Sequence, residues 1–320
     1  MIRNFSELKG CRVKAVADRS AEQLALVKKL YPEVAVTSDA GELFRDESID
    51  GVIIATPIPT HYKLAAEAIR HGKDVLVEKS FTASLSEARR LLALAEAKKR
   101  VVAVDHTFLY SGAVQAIKKL IDSGAIGRVQ YIDSSRLNLG RIKSDISVIW
   151  DLMSHDIAIM GYLLGRTPTS VSATGISHTL RTVENMGYMT LFFGDDTIGH
   201  VTASWVAPLK VRRMIIGGTK KMIVYDDAEA HDKVKLYDVG YTVTRDNSQS
   251  RPRFDYRRGG VSVQKINGGE ALGGLAKDFL RCMNERSLPV SSGKTGLEVV
   301  QVLEAATKSV AANGKEIKLR

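Results

Sequence analysis

Asp151 and His155 stand four residues apart in the run WDLMSHDIAIMGYLLG, whose apolar spacing is helical. On a helix that spacing puts both side chains on one face, within reach of a single bound molecule. An imidazole beside a carboxylate suits the acid–base work of turning an alcohol into a ketone. The bland counterpart is an N-terminal helix aspartate with a half-buried structural histidine. A metal needs a further ligand at useful spacing, and none is found there. The two cysteines, Cys11 and Cys282, are far apart and match no metal pattern, so no metal is expected.

Three expected strand ends would present further residues to a ligand in a parallel sheet. Asp18 closes the apolar run Arg12–Ala17, where an acid accepts hydrogen bonds from ribose hydroxyls, although a turn aspartate looks the same. Arg19 beside it suits a 2′-phosphate, which leaves the choice between NAD and NADP open. Thr56, Pro57 and His61 follow the buried run Gly51–Ala55 at a strand-to-helix turn. Glu78 and Lys79 end the next strand. A lysine desolvated at such an edge can polarise a hydroxyl or exchange a proton with it; its plain alternative is a surface lysine.

The elements that must position these residues show two grammars. From residue 11 to 105, short apolar runs alternate with helical ones. Ser20 with Gln23 and Ser84 with Glu87 form capping boxes for helices ending near Leu30 and Lys99. Strands are expected at 12–17, 34–36, 51–55, 74–77 and 101–104, with helices at about 40–44 and 60–71 between them. That order argues for a parallel sheet covered on both faces. After residue 106 a helix at about 113–121 leads to longer, alternating strands at 128–137, 171–175, 186–193, 197–203 and 213–217. Gly194-Asp195-Asp196 reads as a hairpin turn, and helices are expected at 274–284 and 295–312. Two domains follow, 1–105 and 106–320.

The chain has 320 residues, 44% hydrophobic and 26% charged, which are globular values. No apolar stretch approaches the length needed to span a bilayer, and no cleavable leader opens it, so a cytoplasmic protein without a membrane partner is expected. The net charge of +10 is spread over the chain, with short basic clusters at 210–213, 220–221 and 251–258 and no recognition-helix pattern. Nucleic acid is therefore not the expected partner. Ser291–Thr295 looks like the tail of a phosphate-binding loop, but Leu288 stands where that motif needs glycine.

Together the segments ATPIPTH (55–61), VLVEKS (75–80), DHTFLY (105–110) and WDLMSHD (150–156) resemble the glucose–fructose oxidoreductase/inositol dehydrogenase/MocA family, in order and spacing, over essentially the whole chain. The resemblance implies an α/β fold: a Rossmann-type parallel sheet, then an α+β domain with a large, mostly antiparallel open sheet. It implies an NAD- or NADP-dependent oxidoreductase acting on a sugar or nucleotide sugar, assembled as a homo-oligomer. By this likeness Lys79, Asp151 and His155 surround the reacting carbon, with His155 the general base. Glu78 lies near the nicotinamide ribose and Asp18 at the adenosine ribose. Arg19, Thr56, Pro57 and His61 join the cofactor site, and His106, Tyr110, Arg136, Asn138 and Trp150 the substrate site. Arg136, Arg141 and Lys143 would suit a diphosphate.

The likeness departs in two places. Ser80 replaces the proline that follows the family's Glu-Lys. The family also opens with a strand and G-x-G-x-x-G, whose glycines let amides approach the pyrophosphate. Here Met1–Leu8 reads as the middle and end of the helix after that loop, stopped by Gly10. Met1 is thus expected to be an internal methionine, or the chain a fragment. The missing central strand would leave its two neighbours about 10 Å apart, twice the usual spacing, or force them to pair with each other. Such a chain is expected to bind cofactor poorly, with non-catalytic sugar-nucleotide binding as the alternative.

Overall fold

The computed structural model describes residues 1–179, 183–244, 252–266 and 268–319. Arg251, in one of the basic clusters, lies outside the described residues. The chain divides into two compact units, one of residues 1–110 with 269–300 and the other of 111–268 with 301–320. The first boundary falls after Tyr110, close to the expected cut at 105. Segment 269–300, expected in the second domain, packs into the first unit instead.

In the first unit, α1 (Ile2–Ser6) is followed by Gly10 at φ +79°, a left-handed turn that glycine takes without strain. Then come β1 (Ala15–Ala17), α2 (Ala21–Leu30), β2 (Ala35–Thr37), α3 (Ala40–Arg45), β3 (Gly51–Ile54) and α4 (Ile58–Arg70). The alternation continues through β4 (Asp74–Val77), α5 (Leu85–Ala97) and β5 (Val102–Val104) to a 3-10 turn, Thr107–Tyr110. Both expected caps form: Ser20 Oγ accepts the Gln23 amide at 3.3 Å and Ser84 Oγ the Glu87 amide at 3.2 Å. Local hydrogen-bond chemistry sets these helix starts, so they were readable without tertiary information.

All the ladders among these five strands are parallel, but they form two sheets, β1–β2 and β3–β4–β5. β1 and β3 do not pair with each other. Of the two outcomes expected for a sheet without its central strand, the forced re-pairing does not occur. Every residue of β4 is buried, as the apolar run Val75–Val77 requires, and with it Asp74 at the strand's start.

The returning segment explains the revised boundary. On α8 (Ala271–Glu285), Leu275, Ala276, Phe279 and Cys282 join Phe5, Leu76, Val101 and Ala103 in one core cluster. Phe5 and Phe279 meet edge to face at 6.5 Å between ring centroids. Asp74, buried at the start of β4, accepts two hydrogen bonds from Arg286 at 2.6 and 3.0 Å and one from the Val101 amide at 2.7 Å. The final helix, α9 (Gly293–Ala311), starts in this unit.

The second unit holds α6 (Gly112–Asp122), β6 (Val129–Leu139), a π-helical turn (Ile149–Met153) and α7 (Ser154–Leu164). Strands β7 (Ser170–Ile176), β8 (Met186–Phe192), β9 (Ile198–Ser204), β10 (Val206–Gly218), β11 (Met222–Asp226), β12 (Val234–Thr244), β13 (Arg253–Val263) and β14 (Ile317–Lys318) complete it. They form one sheet in the order β13-β12-β11-β10-β6-β9-β8-β7-β14, antiparallel except for β6–β9. Gly194, at φ +80°, turns β8 into β9 as expected of the Gly-Asp-Asp sequence. Ile132, Ser134 and Arg136 are buried along one face of β6, and α7 packs on that strand.

Candidate functional site

In a parallel sheet the carboxyl ends of the strands face the ligand. Glu78 and Asp105 each follow the last residue of a strand, and Val77 pairs with Val104, so the two acids are cross-strand neighbours. Their carboxyl groups hydrogen-bond each other. Burial first, then the negative charge of Asp105, pushes Glu78 up to about 8, against the pull of Lys79. Two carboxylates at this distance share a proton more readily than both ionise. Asp105 also accepts from the Thr107 hydroxyl.

His106 is buried, and neither ring nitrogen has a hydrogen-bond partner among the described residues. Burial, helped by the Lys79 ammonium, pushes it down to about 3, so it is a neutral imidazole. Glu78, Lys79, Asp105 and His106 thus form one cluster at the ends of β4 and β5. Two of these, Glu78 and Lys79, were expected at a cofactor and His106 at a substrate. Asp105 was missed as a functional residue; its signal is an acid directly after a buried strand, opposite another acid.

Of the other expected residues of this unit, His61, Asp18 and Tyr110 make internal hydrogen bonds. His61 is fully buried, with Nε2 2.7 Å from the Thr56 carbonyl and Nδ1 3.0 Å from the Ser80 carbonyl. It braces the turn after β3 against the turn after β4, while Thr56 and Pro57 are exposed. The Lys79–Ser80 peptide bond is cis. Asp18 Oδ1 accepts the Ser20 amide at 2.8 Å, a turn that leads into α2, and both Asp18 and Arg19 are exposed. Tyr110 donates to Asp278 at 2.8 Å and accepts the Ser291 amide at 3.0 Å, tying the 3-10 turn to the segment around α8.

In the second unit, Asp151 lies in the π-helical turn and His155 one turn later, at the start of α7. Such wide turns recur at functional sites. Asp151 is buried and takes a salt bridge from Lys143 at 3.0 Å. Trp150 Nε1 donates to Thr307 at 2.9 Å. Asn138 Oδ1 is buried with no hydrogen-bond partner among the described residues. Arg136 is buried with its guanidinium on Asp156, at 2.8 and 3.1 Å, and Ser134 donates to the same carboxylate at 2.8 Å. That internal partner competes with the expected role toward a substrate. Among the described residues no group of three or more His, Cys, Asp or Glu is placed to hold a metal.

Comparison with known proteins gives the family. The profile of an oxidoreductase family with an NAD-binding Rossmann fold matches residues 1–106, and that of the GFO/IDH/MocA C-terminal domain matches residues 114–224. The chain belongs to the Gfo/Idh/MocA family. Among its curated relatives is the UDP-N-acetylglucosamine 3-dehydrogenase of Acidithiobacillus ferrooxidans, 31% identical over 62% of this chain and 60% of that protein. Inositol 2-dehydrogenase of Rhizobium meliloti is 25% identical over 94% of this chain and 89% of that one. The Escherichia coli oxidoreductase YdgJ is 42% identical over 34% of this chain. The match spans 31% of the length of YdgJ and 60% of the Acidithiobacillus enzyme.

Solved structures share the fold. An oxidoreductase from Agrobacterium radiobacter, in complex with NAD+, L-tartaric acid and magnesium, superposes with a TM-score of 0.82 at 20% identity, covering 99% of this chain and 94% of that one. The Acidithiobacillus 3-dehydrogenase superposes with a TM-score of 0.79 at 24% identity, covering 97% and 94%. For a Gfo/Idh/MocA protein, the parallel unit is the dinucleotide-binding one. The cluster at β4 and β5 offers a polar ligand a buried histidine with two unpaired nitrogens and a carboxyl pair. Gly10 is the single glycine among residues 1–40.

Proposed function

We propose that this Gfo/Idh/MocA chain is a nicotinamide-dependent dehydrogenase of a sugar, with a nucleotide sugar the favoured substrate. The observation that carries the reading is the polar cluster of Glu78, Lys79, Asp105 and His106 at the strand ends of the dinucleotide-binding unit. In the second unit, the buried Asp151 has His155 one turn away. NAD or NADP, when bound, supplies the hydride acceptor. Asp18, Arg19, Thr56, Pro57, Glu78 and Lys79 would hold it, with His61 bracing two of the turns. His155 takes the hydroxyl proton, and Lys79 and Asp151 orient that hydroxyl. His106, Asn138 and Trp150 bind the sugar. Removing a positioned acid–base group typically costs about 10²–10⁴ in rate.

A second reading is sugar-nucleotide binding without catalysis, favoured by the two unpaired nitrogens of the buried His106, which would take sugar hydroxyls whether or not hydride is transferred. We further propose a cytoplasmic homo-oligomer. No described helix is long and apolar enough to cross a membrane, and edge strand β13 exposes Phe254, Tyr256, Val261 and Val263.

The deciding experiment follows nicotinamide absorbance with the 320-residue chain, at saturating NAD or NADP, over a panel of sugars and nucleotide sugars. Turnover abolished by H155A supports the dehydrogenase. Calorimetric binding of a nucleotide sugar, with neither cofactor binding nor turnover, supports the second reading.

A further inference from the structure

Asp151 presents an electrostatic problem that the dehydrogenase reading does not address. It is a carboxylate with a relative exposure of 8%, and an ionised acid so placed needs a counter-charge. The chain supplies one from outside its own helical run. Lys143 Nζ lies 3.0 Å from Asp151 Oδ1.

Lys143 belongs to residues 140–147, which carry neither helix nor ladder between β6 and the π-helical turn. The segment is pinned at both ends. The Gly140 amide donates to the Trp205 carbonyl at 3.0 Å, and a Cβ at Gly140 would come within 2.8 Å of the Asn138 side chain. The Val148 amide donates to the Glu184 carbonyl at 2.9 Å. Between these anchors an irregular strap lays one ammonium on one buried carboxylate. Lys143 itself is 41% exposed, so the pair forms with little desolvation of the lysine. The same contact places its ammonium on Asp151; binding a substrate diphosphate is the alternative use of a lysine here.

We propose that Lys143 is a positioning residue: through the 140–147 strap it holds Asp151 ionised and aimed at the hydroxyl that His155 deprotonates. The catalytic part of this statement rests on the dehydrogenase reading and deepens it.

The test compares K143M and K143R with the parent chain. K143M is expected to lower kcat by about 10–100-fold with little change in cofactor KM, and K143R to restore most of it, because a guanidinium also pairs with a carboxylate. A K143M protein with kcat within about twofold of the parent and a raised KM for a nucleotide sugar would overturn the proposal, since the lysine then serves a substrate anion. A measurement independent of turnover uses carbon-13 carboxyl NMR, with the Asp151 signal assigned through D151N. Loss of the cation is expected to move its titration midpoint to higher pH in K143M. An unmoved midpoint would sink the proposal. A moved midpoint in a chain without turnover would support the Lys143–Asp151 coupling and count against the dehydrogenase reading alone.

Discussion

The Glu78 carboxyl group hydrogen-bonds that of Asp105 across two adjacent parallel strands, next to the Lys79 ammonium. The carboxyl pair holds one proton more than two separate surface acids would at neutral pH. Glu78 is raised to about 8 from an unfolded value near 4.5, so the folded chain binds the extra proton between those limits. Stability from this source is therefore present below about pH 4.5 and is lost as pH rises through 8. Thermal melting between pH 5 and 9 should show a falling Tm, and E78Q should flatten that slope. An E78Q profile parallel to the parent's would remove the pairing from consideration.

His106 makes the opposite demand. Its ring is buried, neutral and without a hydrogen-bond partner among the described residues. An apolar residue of similar size leaves nothing unsatisfied, so H106L should stabilise the free protein by about 1 kcal/mol in chemical denaturation. If the two nitrogens wait for a sugar hydroxyl, the same variant should weaken sugar binding at least tenfold. A variant less stable than the parent would mean that the imidazole is satisfied in the free protein.

Arg136 is expected to report on folding and not on substrate charge. Its removal strands the Asp156 carboxylate, which is 2% exposed, and breaking one side of such a buried pair costs about 3–5 kcal/mol. R136M should therefore lower the denaturation midpoint of the second unit strongly. Normal stability with a selective loss of nucleotide-sugar affinity would restore the binding role that its sequence context suggested.

Arg286 tests the discontinuous make-up of the first unit. It reaches Asp74 from residues 269–300, and its side chain is 44% exposed against 4% for Asp74. R286A should cost about 2 kcal/mol, less than a fully buried pair because water reaches the arginine side. Hydrogen exchange should then rise at β4 and α8 together. A change confined to α8 would mean that the pair does not tie them.

Much of this chain was legible residue by residue. The caps at Ser20 and Ser84, the strands β3 and β4, the Gly194 turn and the Asp151–His155 spacing all depend on neighbours within a few positions, although β3 is only half-buried at Gly51 and Ile53. Local hydrogen bonds and apolar periodicity leave their mark in the sequence itself, and so the α/β order and the antiparallel second unit were expected. Strands β11, β12 and β13 were not. β13 is exposed along its whole length, so it carries no buried alternation to betray it. What only the tertiary structure decided are the partnerships made by distant segments. Phe279 returns to Phe5, Arg136 turns inward to Asp156, Glu78 meets Asp105 through strand register, and Lys143 is carried back onto Asp151. The geometry of each exists only once the chain has closed on itself, even across the eight residues from Lys143 to Asp151, because charge and shape pair in space and not in order along the backbone.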